Sequence, residues 1–154
     1  MTSPIVQALL ERYWDMKIPV EPEVFAAHLG LTVEMRDGLG LAASRFDPER
    51  KTIVVTADAC PERRRFAIAR ELGHYCLGHS RSAHVASDPV RFAEVSQEQE
   101  SQACSFAAEL LMPAIAVKVL VDRRGIRDAK TLREMLGVSS QALNWRLNAL
   151  GYFL

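Results

Sequence analysis

Two long helical patterns, separated by a loop, constrain the fold of this chain more than any other feature of its 154 residues. In the first pattern, Pro61 is followed by apolar residues that recur at helical spacing to about residue 78. In the second, Ser96 opens a segment with the form of a capping box, and the pattern runs to Met112. Residues 80–95 have no clear period and predict the loop between the two helices.

Strand patterns precede the first long helix. Three of them lie between residues 31 and 55, and turn-forming residues at 47–50 predict a hairpin over 41–55. Two shorter helices are predicted before the strands, over 5–16 and 22–29. The expected fold class is therefore α+β, with a small antiparallel sheet flanked by helices.

Composition and charge argue against several classes of protein. Nineteen Lys and Arg residues balance nineteen Asp and Glu residues, which disfavours a general nucleic-acid or membrane-surface protein. No apolar run approaches the roughly 20 residues of a membrane span, and charged residues within 1–20 are unlike a signal peptide. The three cysteines have no CxxC spacing, so we expect no disulfide framework and a cytoplasmic location.

The segment with chemical content lies in the first long helix. A zinc peptidase helix with the pattern H-E-x-x-H places two His ligands one turn apart, and its Glu activates the metal-bound water. Here Glu71 and His74 occupy the positions of the base and of the second His, while Arg70 stands at the first His position. E-x-x-H alone is weak evidence, because many ordinary helices carry it by chance.

The second long helix supplies the carboxylate that a three-ligand zinc site needs. Glu98 and Glu100 both lie in its first turn. They are about 160° to 200° apart on a helix, so only one of them can face the site.

These two helices resemble those of the ImmA/IrrE-type metallopeptidases, a gluzincin-like family of cytoplasmic bacterial enzymes. The family's active helix is similar to R-R-F-x-x-A-H-E-L-G-H-x-x-L-H, and its second helix to E-x-E-A-N-x-F-A-A-E-L-L-M-P. In this chain 64–66 and 106–113 match those patterns most closely. The resemblance implies a zincin-like fold, with His74 and Glu100 as zinc ligands and Glu71 as general base.

Two residues depart from the family pattern. Arg70 replaces a ligand, and a guanidinium offers no lone pair to a metal. Cys104 stands one turn after Glu100, where the family has a polar residue that supports the first His. We therefore expect a weakened or absent zinc site. Without the metal Glu71 and Glu100 would repel each other, and Arg70 between them would neutralise the pocket.

Two alternatives to this arrangement stay open. In one, Arg70 points to solvent and His74 is an ordinary core histidine. In the other, the chain is an active zinc endopeptidase with a variant ligand set: His74, Glu100 and Cys104, with His79 or His84 as an extra ligand.

The resemblance also implies a partner and a division of the chain. The family's usual task is to cleave or disable a repressor of the helix-turn-helix class, which would be a substrate or binding partner here. An edge strand at 51–55 could hold the partner's peptide by β-augmentation, with or without zinc. The expected units are a peptidase-like domain over 1–117 and a helical appendage over 118–154. Glu109 is expected to form an ion pair that caps the core.

The C-terminal appendage carries the basic excess of the chain. Residues 118–154 hold seven Lys or Arg and three Asp or Glu, and 131–150 have the pattern of a helix-turn-helix. A DNA-binding regulator is therefore an alternative function, although the resemblance favours an appendage packed on the core. Arg63, Arg64 and Arg65 are expected to be solvated in the first turns of the active helix.

Overall fold

The computed structural model describes residues 2–39, 44–79 and 96–154, and within these ranges it shows seven α-helices and a three-stranded sheet. The predicted α+β class is confirmed. In chain order the elements are α1 (Pro4–Tyr13), α2 (Pro22–His28), β1 (Thr32–Arg36), β2 (Ser44–Asp47), β3 (Thr52–Thr56), α3 (Pro61–Cys76), α4 (Gln97–Leu111), α5 (Ala114–Lys118), a π-helical turn (Val119–Arg123), α6 (Ala129–Leu136) and α7 (Ser140–Ala149).

The sheet has the strand order β1-β3-β2, with β1 parallel to β3 and β2 antiparallel to it. The prediction of a wholly antiparallel sheet is therefore wrong. Strand β2 lies on the side of β3 that faces away from β1. Strands β1 and β3 can therefore pair directly, and they run in the same direction. The predicted hairpin is confirmed over 44–55, while 41–43 lie outside the described residues.

The turn of this hairpin forms as its sequence indicates. The Asp47 carboxylate accepts hydrogen bonds from the backbone N–H groups of Glu49 and Arg50, both at 3.1 Å. This local bonding is why Asp is favoured at the start of such turns.

Helices α3 and α4 cross closely because Gly73 has no side chain. A Cβ placed there would lie 3.1 Å from the carbonyl oxygen of Ala103 and from Phe106 Cβ. Ser96 caps α4, since its hydroxyl accepts from the Gln99 N–H at 3.1 Å. The close crossing brings the side chains that flank Gly73 to the surface of α4.

The C-terminal helices share the apolar core of the rest of the chain, and two arginine side chains bind backbone carbonyls at their junction. Arg65 Nη1 donates to the Gly137 carbonyl at 2.8 Å, and Arg146 Nε donates to the Met112 carbonyl at 3.0 Å. The expectation that Arg65 is solvated is wrong, because this contact leaves its side chain 16% exposed. The division at 117/118 stays a prediction.

No single helix among the described residues is long and apolar enough to cross a membrane. The pair formed by Gln97–Leu111 and Ala114–Arg123, which is bent by 52°, has the length and composition of a span only when its two helices are taken together.

Gly137 offers a test of the junction between α6 and α7. Its φ is +66°, and a Cβ there would lie 2.5 Å from Arg65 Nη1 and 2.9 Å from Pro19 Cβ. We expect Gly137→Ala to lower the free energy of unfolding by about 3 kcal/mol, from left-handed strain, the clash and the weakened arginine contact.

Gly125→Ala is the matched control, because Gly125 also has φ +66° but nothing lies within 4 Å of its added Cβ. Its cost should be about 1 kcal/mol from backbone strain alone. Urea unfolding measures both variants. Equal losses for the two would show that the contacts around Gly137 contribute nothing.

Candidate functional site

The Arg70 side chain on α3 lies between two carboxylates. Its Nη1 is 3.1 Å from Glu100 Oε1 on α4, and its Nη2 is 3.8 Å from Glu71 Oε1. The side chain is 26% exposed, so it does not point freely into solvent. The geometry agrees with the expectation that the guanidinium neutralises these two carboxylates.

Ser44 completes this cluster from strand β2. Its hydroxyl donates to Glu71 Oε1 at 2.8 Å and accepts from Arg70 Nη2 at 3.1 Å. Glu71 is fully buried and Ser44 nearly so. A buried carboxylate is costly unless it is hydrogen-bonded and paired, and Ser44 and Arg70 meet that need.

His74 extends the cluster along the other side of Glu100. Its Nε2 lies 3.3 Å from Glu100 Oε2, and its Nδ1 lies 2.9 Å from His79 Nδ1. The Nε2 atom of His79 in turn lies 2.9 Å from Gln102 Oε1. Contact between the two rings requires that one Nδ1 donates and the other accepts. Both nitrogens of the buried His74 ring thus face protein groups.

Cys104 lies one turn after Glu100 on α4 and is half-buried. Burial, followed by the charge of Glu100, raises the pKa of its thiol, and Arg70 only partly offsets that shift. The thiol is therefore protonated near neutral pH, as an ordinary cysteine thiol also is.

The residues present do not fit a zinc ion. Arg70 already places a positive charge on Glu100, the carboxylate that would bind the metal, and offers no donor atom in exchange. Across 2–39, 44–79 and 96–154, no three His, Cys, Asp or Glu side chains converge as a metal-binding group. The variant set with Cys104 gains no support from this geometry, and His84 lies outside the described residues.

Strand β3 is not the edge strand that the sequence predicts at 51–55. It lies in the centre of the described sheet, between β1 and β2, with Thr52, Ile53, Val54 and Val55 buried. A centre strand is hydrogen-bonded on both sides and cannot add a peptide. Within the part of the sheet that is described, β2 is the edge strand beside Glu71.

The structure brings together four predicted site residues, in one group of contacts, and adds two that sequence reasoning missed. The four are Arg70, Glu71, His74 and Glu100. The added ones are Ser44 and Gln102. A strand residue or an exposed helical Gln carries no sequence signal for such contacts, because their partners lie 27 and 23 residues away.

The C-terminal helices expose fewer cations than their sequence contains. Arg146, counted among the basic residues of the possible DNA-binding segment, is 1% exposed and faces the core. The exposed face of α7 carries uncharged polar residues, including Gln141, Asn144 and Asn148. DNA contact through 131–150 stays a prediction, and the buried Arg146 no longer counts among the cations that support it. Glu109 accepts a hydrogen bond from the Ser3 N–H at 2.7 Å.

The crossed helices, with E-x-x-H on one and a facing carboxylate on the other, define a metallopeptidase-like domain. A solved Mycobacterium tuberculosis transcriptional regulator has the same fold, with a TM-score of 0.68 over 94% of this chain and 46% of that one, at 22% identity. The family described as the IrrE N-terminal-like domain matches residues 26–148, and this chain belongs to it.

A curated relative supports the same family. The Deinococcus radiodurans protein named radiation response metalloprotease IrrE is 33% identical over 88 residues. That match spans 56% of this chain but only 27% of the relative's length. The resemblance seen in the sequence to ImmA/IrrE-type metallopeptidases is thereby confirmed.

Proposed function

We propose that this chain binds a regulatory protein of the helix-turn-helix repressor class, and that its own peptide hydrolysis is weakened or lost. The observation that carries the proposal is the position of Arg70, whose guanidinium contacts Glu100 at 3.1 Å and lies 3.8 Å from Glu71. The family's zinc ligand would come from this residue position.

The guanidinium supplies positive charge without supplying chemistry. It neutralises two carboxylates that would otherwise repel, and together with Ser44 it connects β2, α3 and α4. It cannot accept electron pairs from a water or polarise a carbonyl as a metal does. Glu71, the position of the general base, accepts a hydrogen bond from Ser44 instead. These contacts favour a cleft that binds a partner over one that hydrolyses a peptide.

The choice of partner rests on the family. One relative is named a metalloprotease, and the resemblance to ImmA/IrrE-type proteins implies action on a repressor. Binding by backbone hydrogen bonds to a sheet edge needs no metal. Strand β2 is one of the two edge strands of the described sheet, and Ser44 within it contacts Glu71. A partner peptide along β2 would pass beside the Arg70 cluster.

The experiment combines metal analysis with a cleavage assay. Protein purified without chelator from zinc-supplemented cells should contain no stoichiometric zinc. A helix-turn-helix repressor from the same genome should form a complex with it, seen by size exclusion, and should stay intact on a denaturing gel. About one equivalent of bound zinc together with repressor fragments would overturn the loss of hydrolysis. Failure to bind any such repressor would overturn the choice of partner.

A further inference from the structure

A groove of about 800 Å³ runs between α3, α4 and the turn that joins α6 to α7. Arg70 and Cys104 line it, whereas Glu71 and His74 do not. Its volume falls in the range of pockets that bury several side chains or a small ligand. Residues that matter for its chemistry are Arg63, Phe66, Ser105, Arg133, Val138 and Trp145.

The groove exists because the α4 surface beneath it carries small side chains. Ser101, Cys104, Ser105 and Ala108 lie at helical spacing on one face of α4, and all four line the groove. Larger side chains there would fill the space between α3 and α7. These four residues form the floor of the groove, and Phe66 on α3 also lines it.

The groove wall combines an exposed aromatic ring with positive charge. Trp145 is 47% exposed and is one of several large apolar side chains at the surface of the described residues. Arg70 at the groove is already paired with Glu100, so the charges that remain in the described lining are Arg63, Arg133 and the acidic Glu62, an excess of one positive charge. The whole chain has a formal net charge of zero, so this surface differs from the average.

We propose that this groove docks an acidic segment of the regulatory protein, with an apolar side chain seated between Phe66 and Trp145. The inference rests on the proposed function, because it assigns a docking surface to that partner. Carboxylates of the segment would pair with Arg63 and Arg133 at the rim, and the apolar anchor would remove the aromatic surface from water. The segment would thus bind beside the Arg70 cluster without depending on a metal.

Charge complementarity disfavours the other occupants. Two copies of this chain pairing groove to groove would bring like charges together, which is costly at an interface. Duplex DNA presents phosphates on a broad convex surface, whereas this groove is concave and has small side chains at its floor. An acidic peptide with an apolar anchor satisfies both the charge and the shape.

The test measures binding of a labelled synthetic peptide by fluorescence anisotropy. The probe is a twelve-residue peptide with Asp-Glu pairs alternating with Leu-Phe pairs, and the comparison peptide carries Lys in place of each acidic residue. The full chain should bind the acidic peptide at least about tenfold more tightly, a difference of 1.4 kcal/mol. Equal binding of the two peptides would overturn the proposal.

Matched variants locate the binding to the groove. Arg63→Glu reverses a charge at the rim and Ser105→Leu fills the floor, and each should weaken binding of the acidic peptide about tenfold. Arg124→Glu and Gln97→Leu make the same changes at exposed positions outside the groove, and should leave binding within about twofold. Equal effects in both pairs would overturn the proposal.

The same variants separate this inference from the proposed function. If the repressor binds wild-type protein and both groove variants equally, the groove is not its docking surface, although the proposed function stands. If the acidic peptide binds in a groove-dependent way and no repressor binds, the groove is supported and the partner class is wrong. A dimer seen by light scattering that Ser105→Leu abolishes would assign the groove to a second copy and overturn the proposal.

Discussion

Replacing Arg70 with His and Cys104 with Asn together is expected to create a zinc site between α3 and α4. The first change would remove the guanidinium that pairs with Glu100 and supply an imidazole one helical turn from His74. The second would supply a neutral polar group to orient that imidazole. Zinc affinity should rise by at least about a thousandfold, which corresponds to about 4 kcal/mol.

Competition with a colorimetric zinc chelator measures this gain, and the melting temperature should rise with added zinc only in the double variant. Arg70→Met is the matched control, because it removes the same charge without adding a donor atom. Cys104→Asn alone tests whether the supporting group matters without the imidazole. A double variant that stays metal-free would show that His74 and Glu100 are not ligand positions.

The Arg146→Ala variant is expected to lose about 3 kcal/mol of stability, a large part of the total for a domain of this size. Arg146 is fully buried on α7, and its Nε bonds the Met112 carbonyl at the end of α4. Truncation leaves that carbonyl without this donor and opens a cavity between the two helices. Burial lowers the pKa of Arg146, and the charge of Glu109 partly offsets that shift.

Two further variants separate the sources of this loss, measured by urea unfolding. Arg146→Met keeps most of the volume and should cost about 1–2 kcal/mol from the lost hydrogen bond. Arg127→Ala removes an exposed arginine of the same segment and should stay within about 0.5 kcal/mol of wild type. If Arg146→Ala and Arg127→Ala behave alike, the arginine does not stabilise the junction of the C-terminal helices.

The Arg146 contact also bears on the alternative function in DNA binding. A buried arginine cannot reach a phosphate, so the basic excess of 118–154 overstates the charge available at the surface. Exposed basic residues remain there, Arg123 and Arg124 among them. The outward face of α7 carries Trp145 and uncharged polar side chains, so it is a weak electrostatic partner for DNA.

Sequence patterns predicted the helices and the hairpin well because their signals are local. Pro61 and Ser96 begin α3 and α4 as expected, and Asp47 forms the predicted turn. Sheet order was not predictable in the same way. Whether β1 pairs with its neighbour in sequence or with β3 depends on contacts 20 residues apart, as between Thr32 and Thr52.

The residues of the candidate site also fall into those that local sequence patterns predicted and those that they did not. Arg70, Glu71 and His74 follow from spacing within one helix, and Glu100 from a second helix whose family pattern is specific. Ser44 and Gln102 were not predictable, because neither belongs to a motif. Their roles arise from where β2 and α4 approach α3.

By itself, the sequence determined the family, the helix pair and the spacing of Arg70, Glu71 and His74, since motif and spacing are properties of the chain. Only the tertiary structure decided what the charged side chains do. Arg70 pairs with Glu100, while Arg65 and Arg146 bind backbone carbonyls in the interior. The physical reason is that an arginine's free energy depends on its burial and on partners from distant segments, which composition cannot record.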